Sequence, residues 1–177
     1  MADVPTLETP RLILKAFTND LLTERYTGWL NDPDVVRYSE QRHQHHTLES
    51  CRQFVHSFAD GPDHLWAIIE TKKGLGHIGN INTAVDAPNM VADIAILIGE
   101  KQAWGGGLGG EAWIAVVDYL LDAGGMRKIT AGCMAENKGM VAVMEKSGMT
   151  EEARRQGNFL LDGKPVDMFM AAKFGNR

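Results

Sequence analysis

The chain has 177 residues, 44% of them apolar and 23% charged, the profile of one soluble globular domain long enough for a real core. Its net charge of −5 excludes a general nucleic-acid binder, which carries a basic face. Two cysteines, Cys51 and Cys133, stand far apart and in no CxxC spacing, which excludes a disulfide framework or a cysteine-based zinc site.

The opening residues, MADVPTLETPRLIL, lack the basic region and long apolar run of a signal peptide. No segment approaches the run of about 18 apolar residues that a membrane span needs. The expectation is a cytoplasmic protein with no membrane or nucleic-acid partner.

Residues 11–17, RLILKAF, form a short strand-like run. Thr18-Asn19-Asp20 offers N-caps for a helix over LLTERYTGWL, and Asn31-Asp32-Pro33 ends it, because a residue before proline avoids the α region. Residues 47–58 read as a second helix with Thr47 and Ser50 as alternative caps; Phe54, Val55 and Phe58 share its apolar face. Three strand-like runs follow at 65–71, 77–85 and 91–99. The linkers between them have hairpin lengths and turn residues, so the three form an antiparallel meander. A glycine stretch then leads into a helix over about 108–123, stopped by Gly124-Gly125. Residues 128–134 are a further strand, and NKGMVAVMEKSGM a short helix. The end of the chain reads as a hairpin turned at Asp162-Gly163. There is no internal repeat and no linker long enough to divide the chain. The order β-α-α-β-β-β-α-β-α-β-β describes one domain, 1–177, of mixed α/β (α+β) class.

The glycine stretch is QAWGGGLGGEAW, residues 102–113, with five glycines among twelve residues. A glycine inside a helix costs about 1 kcal/mol relative to alanine, so this many at a helix start need a reason. Helix N-termini carry unpaired N–H groups and attract anions, and glycine lets a phosphate approach the bare backbone. A P-loop is excluded: Gly105 and Gly110 have the right spacing, but Glu111-Ala112 follows in place of Lys-Ser/Thr. The dinucleotide pattern GxGxxG matches Gly105, Gly107 and Gly110 literally. Its context fails, since a meander precedes it and too little chain follows for a doubly wound sheet.

The third pattern is [QR]xxGxG/A, met by Gln102-Ala103-Trp104-Gly105-Gly106-Gly107. Here the chain resembles the GCN5-related N-acetyltransferases (GNAT), in particular the branch that acetylates ribosomal proteins and amino sugars. IGEKQAWGGGLGGEAW is similar to that branch's IGDKxxWGKGxGTEA. LETPRLILKAF, WLNDPDVVRY, Asn137 with KSGM, and DGKPVDMFM resemble its other recurring segments. The likeness covers nearly the whole chain, in order.

The resemblance implies a mostly antiparallel seven-stranded sheet flanked by about four helices, with the fourth strand splayed from the fifth and acetyl-CoA wedged into the gap. Gln102 and the amides of Trp104, Gly105, Gly106, Gly107, Leu108, Gly109 and Gly110 would hold its pyrophosphate. Packing alone is the competing role for the glycines. The branch often has lysine where Gly106 stands; Lys101 or Lys138 could compensate. Asn137 matches the family residue that bonds the pantetheine arm, and it also serves as a plain N-cap. Met140 and Met144 stand where the family places a serine or a proton-donating tyrosine, so the usual general acid is missing.

Acetyl transfer needs a neutral amine, hence a base, and an N–H donor for the thioester oxygen. A strand amide around Ile96, Leu97 and Ile98 is the candidate donor. Asp93 is the candidate base: it interrupts the apolar run VADIAILI where the branch has glutamate. An exposed strand carboxylate is the alternative. Glu111 suits the dipole at the start of its helix. The segment YSEQRHQHH, 38–46, is expected over the acceptor pocket, with Arg42 and His43 able to bind an acidic group. Trp29 and Tyr38 are further pocket candidates, with aromatic core the default for both. HQHH lacks the ligand spacing of a metal site, and no metal is expected. Cys133 lies within a strand and is not a convincing nucleophile.

The sequence therefore reads as an acetyl-CoA-dependent N-acetyltransferase acting by direct attack. The acceptor is open among an amino sugar nucleotide, a protein N-terminus and a small amine. A non-catalytic acyl-CoA-binding or regulatory module is the alternative. Met168, Phe169 and Met170 in the terminal hairpin could support a homodimer.

Overall fold

The central strands carry helices on both faces of the sheet. In the computed structural model, which describes residues 4–175, β1 (Leu7–Glu8), β2 (Leu12–Ala16), β3 (Leu65–Glu70), β4 (Gly76–Asp86), β5 (Val91–Ile98), β6 (Lys128–Met134), β7 (Thr150–Leu161) and β8 (Lys164–Phe174) form one sheet. The order across it is β1-β2-β3-β4-β5-β6-β8-β7. The helices are α1 (Glu24–Asn31), α2 (Leu48–His56), α3 (Leu108–Leu121) and α4 (Lys138–Lys146). Neighbouring strands pair antiparallel except β5 and β6, which are parallel because α3 crosses between them. Among the described residues no helix is long and apolar enough to cross a membrane.

Eight strands replace the expected seven. The addition is β1, two residues long, which pairs Leu7 with Leu14 and Glu8 with Ile13; a strand that short carries no periodic signal of its own. The first helix also starts later than its sequence suggested. Thr18-Asn19-Asp20 leads only a 3-10 turn, Asn19–Leu21, and Thr23 caps α1 by accepting from the Tyr26 amide. At α2 the two alternative caps work as one unit: Thr47 accepts from the Ser50 amide while Ser50 accepts from the Thr47 amide. Asp162 and Gly163 both have positive φ, as the tight β7–β8 turn requires. Phe169 on β8 is consumed by this chain's own core, at 3% exposure.

Two apolar clusters sit on opposite faces of the sheet. Ala112, Trp113, Val116, Val117 and Leu120 of α3 pack with Ala92 and Ile94 of β5. On the other face, Tyr26 and Trp29 of α1 pack with Cys51 of α2 and with Ala67 of β3. The sheet is thus the partition between the two layers, with β3 contributing to both.

Past Asp93 the partition opens. The β5–β6 register runs Val91↔Lys128, Ala92↔Ile129, Asp93↔Thr130 and stops, while β5 continues to Ile98 and β6 to Met134. On the other edge β5 stays locked to β4, through Gly79↔Ile98. There the backbones come so close that a Cβ on Gly79 would lie 2.1 Å from the Leu97 carbonyl oxygen. Just beyond the strand, the Trp29 indole lies on Gly99, where a Cβ would overlap the ring at 2.0 Å. The end of β5 is therefore held toward β4 and α1, away from β6.

Candidate active site

The glycine stretch turns out to serve several separate purposes. Gly105 and Gly107 sit at φ +73° and +78°, a left-handed conformation that other residues adopt only with strain. Gly107 is the N-cap of α3. Gly109 lies against Ile98, where a Cβ would stand 3.3 Å from Cγ1; it allows α3 to pack on β5. Gly106 has neither constraint: its φ is ordinary and a Cβ would approach nothing closer than 3.9 Å. Its bareness has no internal use, and it lies in the exposed run Trp104–Gly107. The helical ladder begins with the Glu111 amide donating to the Gly107 carbonyl at 3.1 Å. The amides of Leu108, Gly109 and Gly110 precede it, at the positive end of a 14-residue helix. Gln102 is exposed on the 3-10 turn Lys101–Ala103. The Trp104 indole N–H donates to the Ile98 carbonyl at 2.9 Å, tying the loop to the end of β5.

A network from the N-terminal strands clamps this loop. Glu111 accepts from the Thr9 hydroxyl at 2.6 Å, from the Arg11 amide at 2.9 Å and from Arg11 Nε at 2.7 Å. Arg11 Nη1 in turn donates to the Gly106 carbonyl at 2.9 Å. Burial pushes the Glu111 carboxyl up, but the bonds from Thr9 and Arg11 outweigh it and hold it below its ordinary range. Lys101 does not serve the loop, since Asp32 and Asp34 hold its ammonium at 2.8 and 2.7 Å. Lys138 is also engaged, donating to the Ala135 carbonyl at 2.6 Å. The cation beside the glycines is Arg11, which sequence reading passed over because it lies 95 residues from Gly106.

Between the diverging ends of β5 and β6 lies a cavity of about 300 Å³. Ile96 and Leu97 form one wall, Gly132 and Cys133 the other, with Asn137 and Met140 at the start of α4 and Tyr38 from the connecting segment. Every second amide along the free end of β5 faces this gap, because strand amides alternate in direction and β6 has ceased to pair with them. Asn137 caps α4 with its Oδ1, which accepts from the Met140 amide at 3.1 Å; the amide nitrogen Nδ2 is a separate donor. Trp113 also lines the cleft and is fully buried, and its Nε1–H has no partner among the described residues. Met144 is fully buried in the core. Burial pushes the Cys133 thiol up to about 11, against a lowering from Lys138, so it is a protonated, poor nucleophile near neutrality.

Asp93 marks the point where the cleft begins. It is the last residue of β5 to pair with β6, and its Oδ2 accepts from the Thr130 hydroxyl at 2.7 Å. Desolvation raises its carboxyl above the ordinary value despite the lowering effect of Thr130. Asp93 is exposed as a residue and is not among those that line the cleft. Asp93 shares the β5 face of Ala95 and Leu97, one strand repeat of about 7 Å from Ala95.

That face looks into a second cavity, of about 500 Å³, between β4, β5, α1 and α2. Ala95, Ile96 and Leu97 line both cavities, as does Ser39, so the two meet across β5. Of the proposed acceptor residues, Tyr38 lines the cleft. Arg42 lines a third, outer cavity of about 330 Å³ and donates to the Leu160 and Ser39 carbonyls. His43 is exposed, 3.9 Å from Glu40. Trp29 is packed among Tyr26 and His77 and lines none of these cavities. The histidine run is divided: His45 lines the outer cavity and His46 the large one. Among the described residues no group of three or more His, Cys, Asp or Glu side chains is placed to hold a metal. Asn80 and Asn82 on β4, which sequence reading missed, line the large cavity. Two asparagines in a strand, where this residue is disfavoured, were the available signal.

A family model described as an acetyltransferase (GNAT) domain matches residues 11–150. A search of curated protein sequences found no match. Among solved structures, an acetyltransferase of the GNAT family from Bacillus anthracis superposes with a TM-score of 0.80 at 21% identity, over 96% of this chain and 98% of that one. RimL, a ribosomal L7/L12 alpha-N-protein acetyltransferase in complex with coenzyme A, gives 0.82 at 16% identity, over 97% and 99%. A spermidine N-acetyltransferase from Vibrio cholerae, in complex with CoA and spermine, gives 0.82 at 18% identity, over 94% and 96%. The fold, the splayed strands and the domain match agree: the chain belongs to the GCN5-related N-acetyltransferases, whose acetyl donor is acetyl-CoA.

Proposed function

We propose that this protein transfers an acetyl group to a primary amine by direct attack, with both substrates bound at once and no acetylated enzyme intermediate. The observation that carries this reading is the meeting of two cavities across the free end of β5. One lies in the β5–β6 gap, and the other opens from the α1–α2 side.

The residues present fit acetyl-CoA. Gly106 is bare for no internal reason, the amides before Glu111 stand at a helix N-terminus, and the buried Trp113 N–H lacks a partner. Acetyl-CoA supplies the activated thioester. The amides of 104–110 bind its pyrophosphate, and Asn137 Nδ2 and the β5 edge hold the pantetheine arm in the gap. An amide of the Ile96–Ile98 stretch receives the charge that develops on the carbonyl oxygen. Asp93 takes the amine proton, through a bridging water given its short side chain. A nitrogen–carbon bond forms as the carbon–sulfur bond breaks. The second proton that the nitrogen sheds as the amide forms leaves to solvent, and the thiolate is protonated from solvent, since Met140 and Met144 can donate none.

Calorimetric titration with acetyl-CoA tests this reading, with Gly107→Glu as the paired variant. Binding by the native chain that the variant loses is the expected result; no binding by the native chain would remove the reading. The methionines at the usual acid positions favour a second one, a non-catalytic acyl-CoA sensor. Asp93→Asn separates the two, because only in an enzyme does it abolish turnover while sparing acetyl-CoA binding.

A further inference from the structure

The large cavity has a chemical character that neither the family nor the mechanism dictates. Its polar lining is mostly side-chain amides and hydroxyls, chiefly Asn80, Asn82, Gln41, Gln44, Ser39 and Ser50, with the imidazole of His46 and the thiol of Cys51 beside them. Among the described residues no Asp, Glu, Lys or Arg side chain lines it. The carboxylate of Glu40 lines the neighbouring cleft and is already paired with Arg42 at 2.8 Å.

Asn80 is the anomaly within this lining. It is 5% exposed, and its Oδ1 has no hydrogen-bond partner among the described residues. A buried amide oxygen is a hydrogen-bond acceptor that nearly always finds a donor. Asn80 pairs with Leu97 across the β4–β5 ladder, and Asn82 with Ala95. Both therefore stand beside the stretch of β5 that the two cavities share. The terminal torsion of asparagine is broad, so a small rotation presents the oxygen to a donor inside the cavity.

We propose that the acceptor is a small hydroxylated primary amine of the amino-sugar type, and that Asn80 Oδ1 receives one of its hydroxyl protons. This rests on the acetyltransferase reading and narrows its substrate. A polyamine would bring a second ammonium group into a cavity with no carboxylate to meet it, and burying an unpaired charge is costly. An amino sugar instead offers hydroxyls that both donate and accept, which side-chain amides match group for group.

The test is steady-state acetylation of glucosamine, cyclohexylamine, spermidine and a tripeptide with a free N-terminus, under saturating acetyl-CoA. Cyclohexylamine has the ring and the amine without the hydroxyls. Glucosamine should exceed each of the others in kcat/KM by about a hundredfold, the discrimination expected of a site built to hydrogen-bond hydroxyls. Asn80→Ala should lower the glucosamine value at least about tenfold. It should leave the Kd for acetyl-CoA unchanged and should melt no lower than the native chain, since the oxygen it removes has no partner to lose. Asn80→Asp should shift the ratio toward spermidine. Preference for spermidine or the tripeptide would overturn the proposal. So would indifference to Asn80→Ala, or acetyl-CoA binding without glucosamine turnover above the other amines. Failure to bind acetyl-CoA at all would strike the broader reading instead.

Discussion

The glycine loop and the large cavity, the proposed donor and acceptor sites, are built in opposite ways. The loop comes from one unbroken stretch, 102–110, and nearly all its recognition groups are backbone amides. The cavity draws on α1, α2, β4, β5 and the segment 39–46, and its recognition groups are side chains. A loop of amides suits a pyrophosphate common to many acyl donors. A wall of side chains can be changed one residue at a time. On the proposed reading, tolerance and specificity divide between the two regions.

The comparison can be broken most severely at Gly107. Gly107→Glu combines a left-handed φ of +78° with a negative charge at the anion site. It should abolish measurable acetyl-CoA binding by calorimetry, while the fold persists by circular dichroism. Retained binding would show that the loop is not the phosphate site.

Next in size is Asp93→Asn, which removes the proposed base but not the partner for Thr130. Turnover should fall about 10²- to 10⁴-fold, with the Kd for acetyl-CoA unchanged. Stability should move the other way. The native carboxyl is raised above its ordinary value, so it is protonated more readily in the folded chain. Its ionisation weakens the fold as pH rises through the raised pKa. The uncharged variant escapes that loss and should melt at or above the native temperature near pH 7.

A smaller effect is expected where the loop depends on a distant residue. Arg11→Gln removes the bond to the Gly106 carbonyl, and the guanidinium is 41% exposed, so solvent weakens its contribution. The KM for acetyl-CoA should rise by about three- to tenfold, with kcat and the acceptor KM unchanged. A parallel fall in kcat would assign Arg11 to general stability instead.

The smallest expected change is a shift in pH profile. Thr130 lowers the Asp93 pKa by donating to its carboxylate. Thr130→Val removes that help and raises the pKa further. The base works only when deprotonated, so activity is lost as pH falls through the pKa. The acid limb of kcat/KM should move to higher pH. An unmoved limb would mean that Asp93 does not set it.

Legibility in the sequence followed the same division. The strands of the meander, α3, β6 and α4 appear within a residue or two of their expected ends, because period and capping are local properties. The glycine loop was also accessible, as a short motif whose residues lie together in one place. Trp29 and Tyr38 show the limit. Both are aromatic residues in the same segment of chain, yet Trp29 covers Gly99 in the core and Tyr38 lines the cleft. Nothing in their neighbours distinguishes them, since the difference depends on which way α1 lies across the sheet.

By itself the sequence determined most of the elements, their order, the concentration of glycine at the start of α3 and Asp93 as a carboxylate interrupting an apolar strand. Each follows from backbone preferences or from residues close in the chain. Only the tertiary structure decided that Arg11 would hold Gly106, that the two cavities would meet at Ala95–Leu97, and that Asn80 would be buried without a partner. Those are contacts between segments far apart in the chain, set by β4–β5 register and by the packing of α1 and α2 against the sheet.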